Sequence, residues 1–170
     1  MYFGNPAFYV EELQRELESL TERGEKQGMD VAVRLNAFSD WPWEVKHREI
    51  FDANPNIQFY DYTKALERAR RYGQWLNGTV GMKRWPSNYH LTYSWNEKSV
   101  PGATKKLLNA GVNVARVGEP TKDWWSSYEW ADGDEHDLTF THRPGSVLIL
   151  KPKGDALSSA GIRNNKFLET

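Results

Sequence analysis

Apolar and polar residues alternate along this chain in two rhythms that take turns. Phe8, Val10, Leu13, Leu17 and Leu20 recur at helical spacing, with Glu11, Glu12, Arg15, Glu16 and Glu18 on the other face. That spacing predicts an amphipathic helix with a solvated charged side. Asn5 is placed to cap it, Pro6 to open it, and Gly24 or Gly28 to end it. The period then drops to two, and residues 31–40, 57–64 and 89–95 read as strands, with 112–117 as a fourth. Between them lie a short helix over 44–53 and the turn Asn54-Pro55-Asn56. A helix over 65–76 stops at Asn77-Gly78, a connection spans 79–87, and a helix over 98–110 starts near Pro101 and ends at Gly111. The order α-β-α-β-α-β-α-β implies parallel strands joined by right-handed crossovers.

Past Gly118 the rhythm breaks. There follow a Trp-rich stretch, an acidic loop over 132–137, and two β-like runs, 138–141 and 146–151, with Pro144-Gly145 as a turn between them. Residues 156–170 carry weak signals and read as a loose end. A length of 170 residues suits one domain, with a βα core over 1–117 and an extension over 118–170.

Side chains alternate across a strand, so each strand sorts into two faces. Val33, Leu35, Ile57, Phe59, Tyr89, Leu91 and Tyr93 form an apolar face. Arg34, Asn36, Gln58, Tyr60, Tyr62, His90, Thr92 and Ser94 form a polar one. A doubly wound sheet covered on both sides would be more continuously apolar. A barrel or half-barrel with a ligand-lined interior fits, and so does a sheet whose polar face meets water. Convergence of Arg34, His90 and two tyrosines favours the cleft. In parallel α/β folds ligands sit at the carboxyl ends of the strands, which here are polar.

Bulk composition narrows the chemistry. The net charge of −1 gives no global electrostatic case for nucleic acid. The absence of cysteine excludes disulfides, thiolate zinc sites, a cysteine nucleophile and a cysteine-ligated iron–sulfur cluster. No apolar run reaches the roughly 20 residues of a membrane span, and the first residues lack signal-peptide features. The expectation is a soluble intracellular protein. Eight tryptophans is a high count, and Trp124, Trp125 and Trp130 either pack under loops or mark a partner surface.

The phrases Val33-Arg34-Leu35-Asn36, Ser39-Asp40, Pro42-Trp43-Glu44, Asn54-Pro55 and Phe59-Tyr60-Asp61-Tyr62-Thr63-Lys64 together resemble the phage gene-product-eighty-eight-type proteins. Tyr89-His90-Leu91-Thr92-Tyr93-Ser94, Gly111-Val112-Asn113-Val114-Ala115, Asp132-Gly133-Asp134 and Asp137-Leu138 continue the resemblance, which covers roughly 8–154. It implies a phage or phage-derived origin and a host-cytoplasm location. It also implies a radical-S-adenosylmethionine-like partial βα barrel, in which Ser39-Asp40 and Tyr62-Thr63-Lys64 would face the cofactor. Family members usually carry a cysteine motif in a further N-terminal region. The chain starts past that position, as a shortened descendant or one half of a split system would. The expected architecture is therefore α/β, a parallel-sheet half-barrel (partial TIM-barrel-like) with a β-containing C-terminal extension.

Candidate chemistry gathers at the strand ends. Arg34 suits phosphate or carboxylate recognition, or an internal salt bridge with Asp40 or Asp61. Asp40 and Asp61 are placed for acid/base work, with helix capping the alternative for Asp40. Lys64 is an anion binder or an exposed helix-start lysine, and His90 a proton carrier or a hydrogen-bonded structural residue. Asp132, Asp134, His136, Asp137 and His142 match neither an EF-hand nor a zinc helix motif, and read as a solvated acidic loop.

The leading function is a cluster-free binder of a small anionic or nucleotide-like ligand. Arg34, Asn36, Ser39, Asp40, Tyr60, Tyr62, Thr63, Lys64, His90, Thr92 and Ser94 would line its site. The second is an interaction protein whose half-barrel is completed by a homodimer or a partner chain through Trp124, Trp125 and Trp130. The third is a cluster-free hydrolase or transferase using Asp40, Asp61 and His90. The fourth is a single-stranded nucleic-acid binder using Arg68, Arg70, Arg71, Lys83 and Arg84, against which the net charge argues.

Overall fold

The computed structural model describes residues 4–79, 85–96, 98–118 and 124–152. Readings placed on Lys83, Arg84 and 156–170 lie outside them. The chain is a mixed α/β protein built on six parallel strands. In chain order they are β1 (Val31–Arg34), β2 (Ile57–Thr63), β3 (Tyr89–Ser94), β4 (Val114–Val117), β5 (Trp130–Asp132) and β6 (Val147–Leu150). They are arranged β1-β2-β3-β4-β6-β5, every pairing is parallel, and among the described residues β1 and β5 form open edges. The sheet is a half-barrel, not a closed one.

Helix α1 (Pro6–Gln27) begins as its punctuation predicts: Asn5 Oδ1 accepts from the Phe8 amide, and Gly28 takes the left-handed cap at φ 64°. Helices α4 (Leu66–Leu76) and α5 (Pro101–Asn109) also lie where expected. The helix predicted over 44–53 is two pieces, α2 (Trp43–Lys46) and α3 (Arg48–Ala53). His47 separates them at φ −141°, with its ring on Trp43 and its Nδ1 on Glu49.

The alternation of faces holds across the sheet. Val33, Phe59 and Tyr89 lie side by side, and Arg34, Tyr60 and His90 lie side by side one residue on. The first row joins Leu91, Tyr93, Val114 and Val147 in a core closed by Leu17, Ile50, Phe51, Ala69, Leu107 and Leu108 from the helices. The polar row fades toward the other edge, where Ser94 pairs with Ala115 and Ala115 with Leu148.

The C-terminal segment extends this same sheet. The run 138–141 is a 3-10 turn at Thr139–Thr141, not a strand, because Thr141 donates both its amide and its hydroxyl to Leu138 O. Pro144-Gly145 therefore makes no hairpin: β5 and β6 run parallel and are joined by a crossover. Gly145 sits at φ 78°, and a Cβ there would meet Leu108 O at 2.6 Å. Gly145→Ala is expected to destabilise the protein by about 1–3 kcal/mol. An unchanged urea midpoint would show that the crossover relaxes freely.

Candidate functional site

A cavity of about 1070 Å³ opens at the carboxyl edge of the sheet, where β1, β2, β3, β4 and β6 all end. Arg34, Asn36, Ser39, Asp40, Tyr62, Thr63, Lys64 and Ser94 line it, together with Phe38, Val117, Leu150, Lys151, Gly133, Asp134, His136 and Asp137. His90 and Thr92 share the polar face but do not reach the cavity lining, and Tyr60 meets it only through its hydroxyl bond to Asp137.

Arg34 has a partner that was not expected. Its Nη1 lies 2.9 Å from Asp137 Oδ2, not on Asp40 or Asp61. Tyr62 donates its hydroxyl to Asp137 Oδ1 at 3.0 Å, and Tyr60 donates to Oδ2 at 3.4 Å. The guanidinium also sits over the Tyr62 ring, 4.7 Å from its centre. Burial, then the Asp137 charge, push both phenols above their ordinary range.

Strand β1 stops at Arg34, six residues short of the predicted stretch, because Asn36 turns the chain. Its amide donates to Asp61 Oδ1 at 2.7 Å, and its Nδ2 donates to Asp61 Oδ2 and to Trp41 O. Its Oδ1 accepts from Ser39 Oγ, the Trp41 amide and Trp43 Nε1. Asn36 is thus the hinge that holds the first loop over the cavity. Asp40 then reaches across to the next strand end. Its Oδ2 accepts from Thr63 Oγ1 at 2.8 Å and from the Lys64 and Ala65 amides, capping the entry to α4 rather than to its own helix.

Beneath lies a buried polar chain. Arg68 donates from Nη1 to Asp40 Oδ1 at 2.7 Å, from Nη2 to Glu44 Oε2 at 2.9 Å, and to the Tyr89 hydroxyl. Tyr89 in turn donates to Asp61 Oδ2 at 2.7 Å. Arg68 is thus a buried hub, not part of a basic surface. Arg70 pairs with Glu67, and Arg71 lies 3.8 Å from Glu44. Asp61 is fully buried, which pushes its carboxyl up to about 6. His90 Nδ1 meets the Tyr72 hydroxyl at 3.1 Å, and burial drives its imidazole down to about 4. No hydrogen bond joins any two of Asp40, Asp61 and His90 among the described residues.

The tryptophans divide. Trp125 stacks on Trp124 and meets Trp95 edge-on, and Arg116 lies within 5.3 Å of the Trp95 and Trp125 rings. Trp130, 43% exposed, stands on the β5 edge. Among the described residues no group of three or more His, Asp or Glu could hold a metal ion. The acidic loop is used otherwise, Asp137 holding Arg34 and Asp134 accepting from the Lys151 amide. A cysteine-ligated cluster does not fit here, since the lining offers carboxylates, hydroxyls and a histidine but no thiolate. No described helix is long and apolar enough to cross a membrane.

Asp137, Lys151 and Phe38 are the functional candidates that the pattern of strands did not disclose. Phe38 was hidden inside an apparent strand, yet its ring is fully exposed at the cavity. The signal for Arg68 was present: Arg68, Tyr72 and Trp75 recur at i, i+4 and i+7, on the face that α4 turns to the core. No curated protein and no solved structure matches the chain. A family model described as Gene product 88 matches residues 1–166, and the chain belongs to that family.

Proposed function

We propose that the protein binds a small anionic or nucleotide-like ligand in the cavity at the carboxyl edge of its sheet. The observation that carries this reading is the convergence there of Arg34, Tyr62 and Lys64 from two adjacent strand ends, around about 1070 Å³ of space. That volume lies just above the usual range for small-molecule sites, about 300–1,000 Å³. Arg34 supplies a fixed fork of donors, Lys64 a mobile charge, and the exposed Phe38 ring a surface on which a planar group can stack.

Thermal unfolding against S-adenosylmethionine and its breakdown products, nucleotides, divalent metals and a short single-stranded oligonucleotide tests it. A true ligand at a hundredfold excess over its dissociation constant adds about 2.7 kcal/mol to stability. Arg34→Ala and Lys64→Ala are expected to keep the fold and lose most of that gain. A cooperative transition that no probe moves would sink the reading.

A hydrolase or transferase gains less support, since Asp61 and His90 stand away from the cavity lining. An interaction role is favoured by one feature, the open β5 edge carrying Trp130. A monomer at high concentration would remove its homodimer form.

A further inference from the structure

We propose that Asp137 is an internal stand-in for the ligand's anionic group, occupying the Arg34–Tyr60–Tyr62 subsite until a phosphate or carboxylate displaces it. The inference rests on the cavity being a ligand site, and it names what holds the anion there and what competes for it.

Three donors from two strands converge on one carboxylate. Arg34 Nη1 and the Tyr60 hydroxyl meet Oδ2 at 2.9 and 3.4 Å, and the Tyr62 hydroxyl meets Oδ1 at 3.0 Å. Donors so placed fit any oxyanion with two oxygens about as far apart as those of a carboxylate. Asp137 fills the subsite incompletely. Asp137 meets the guanidinium through Nη1 alone, where the outer end of the fork offers Nη1 and Nη2 side by side. A free anion approaching along the fork takes both.

Asp137 is also built to leave. It lies in the segment between β5 and the 3-10 turn at Thr139–Thr141, and that segment is held by other bonds: Gly133 N to Ile149 O, Lys151 N to Asp134 Oδ2, and Thr139 N to Asp137 O. None of these uses the Asp137 side chain. That side chain is 49% exposed, so it can turn to water without drawing on the core. A tethered carboxylate competes at high effective concentration. If the subsite is free about a tenth of the time, removing the competitor tightens apparent binding about tenfold.

Calorimetric titration at constant ionic strength with inorganic phosphate, adenosine 5′-monophosphate and succinate tests this. The proteins are the unmodified chain, Asp137→Asn, Asp137→Ala, Arg34→Ala, Glu135→Gln and the double variant Arg34→Ala/Asp137→Ala. Both Asp137 variants are expected to bind at least one probe about tenfold more tightly than the unmodified chain. The double variant should lose the gain, and Glu135→Gln, which removes a neighbouring exposed charge, should show little of it. Phosphate and the nucleotide responding together identifies a phosphate anion, and succinate alone a carboxylate. Arg34-dependent binding that Asp137 variants leave unchanged would overturn the stand-in while the ligand site survives. An equal gain in Glu135→Gln, or a gain that persists without Arg34, would overturn it as a bulk charge effect. Silence from every protein and probe would overturn both.

Discussion

Replacing Arg68 by alanine is expected to remove about 3–5 kcal/mol of stability. Arg68 and Glu44 are each only 3% exposed, and Glu44 faces the guanidinium with both carboxylate oxygens. Removing the cation leaves a buried anion whose nearest remaining positive group among the described residues, Arg71, is 3.8 Å away and partly solvated. Single domains are stable by about 5–15 kcal/mol in total, so the variant will be marginal. Urea unfolding at neutral pH measures the loss. A change below about 1 kcal/mol would mean that Glu44 reaches water in the variant. The double variant Arg68→Met/Glu44→Leu separates pairing from burial. It removes both charges, and its cost should fall well below that of Arg68→Ala alone.

The same arginine ties stability to the site. Asp40 shares its carboxylate between Arg68 on one oxygen and the Thr63 hydroxyl and Lys64 amide on the other. Two lining residues, Thr63 and Lys64, are therefore positioned, through Asp40, by a buried arginine they do not touch. The hub also reaches Asn36, through Tyr89 and Asp61. Two of the loops that form the cavity wall, after β1 and after β2, are anchored to one polar chain behind it.

Much of this was legible in the order of residues. Parallel topology follows from strands and helices taking turns, and the cavity from polar residues at the ends of those strands. The caps of α1 were readable because Asn5-Pro6 and Gly28 act within a few residues of where they stand. What stayed hidden depends on distance along the chain. Arg34 and Asp137 are 103 positions apart, and nothing local to either marks the pairing. Strand β5 has three residues and no periodicity to reveal it. The run 138–141 looks extended because Leu138 and Phe140 alternate with threonines, but Thr141 bonds locally and Phe140 packs on Tyr60. Arg68 resembled surface charge because Arg70 and Arg71 beside it are, and only its helical phase with Tyr72 separates it from them.

Asp61 and His90 set the second large effect, and they act in opposite directions over the same pH range. Burial raises the Asp61 carboxyl from 3.8 to about 6, against the pull of its bonds from Tyr89 and Asn36. The folded protein therefore holds that proton more tightly than the unfolded chain, and stability from Asp61 is lost as pH rises from about 4 to 6. Burial, with His142 nearby, lowers the His90 imidazole from 6.5 to about 4. The unfolded chain binds that proton more tightly, so stability from His90 is gained as pH rises over almost the same interval. At 1.36 kcal/mol per pH unit for one proton, each effect amounts to about 3 kcal/mol. Together they nearly cancel, and a titration of the unmodified protein conceals both. Single variants expose them. Asp61→Asn leaves the histidine alone, and its stability should climb by about 3 kcal/mol between about pH 4 and pH 7 relative to the unmodified chain. His90→Gln leaves the carboxyl alone, and its stability should fall by a similar amount across the same range. Urea unfolding at half-unit steps of pH reads both slopes. Parallel profiles for all three proteins would mean that water reaches these two groups in the folded state. The polar chain behind the cavity would then be solvated rather than dry, and the cost assigned to removing Arg68 would shrink with it.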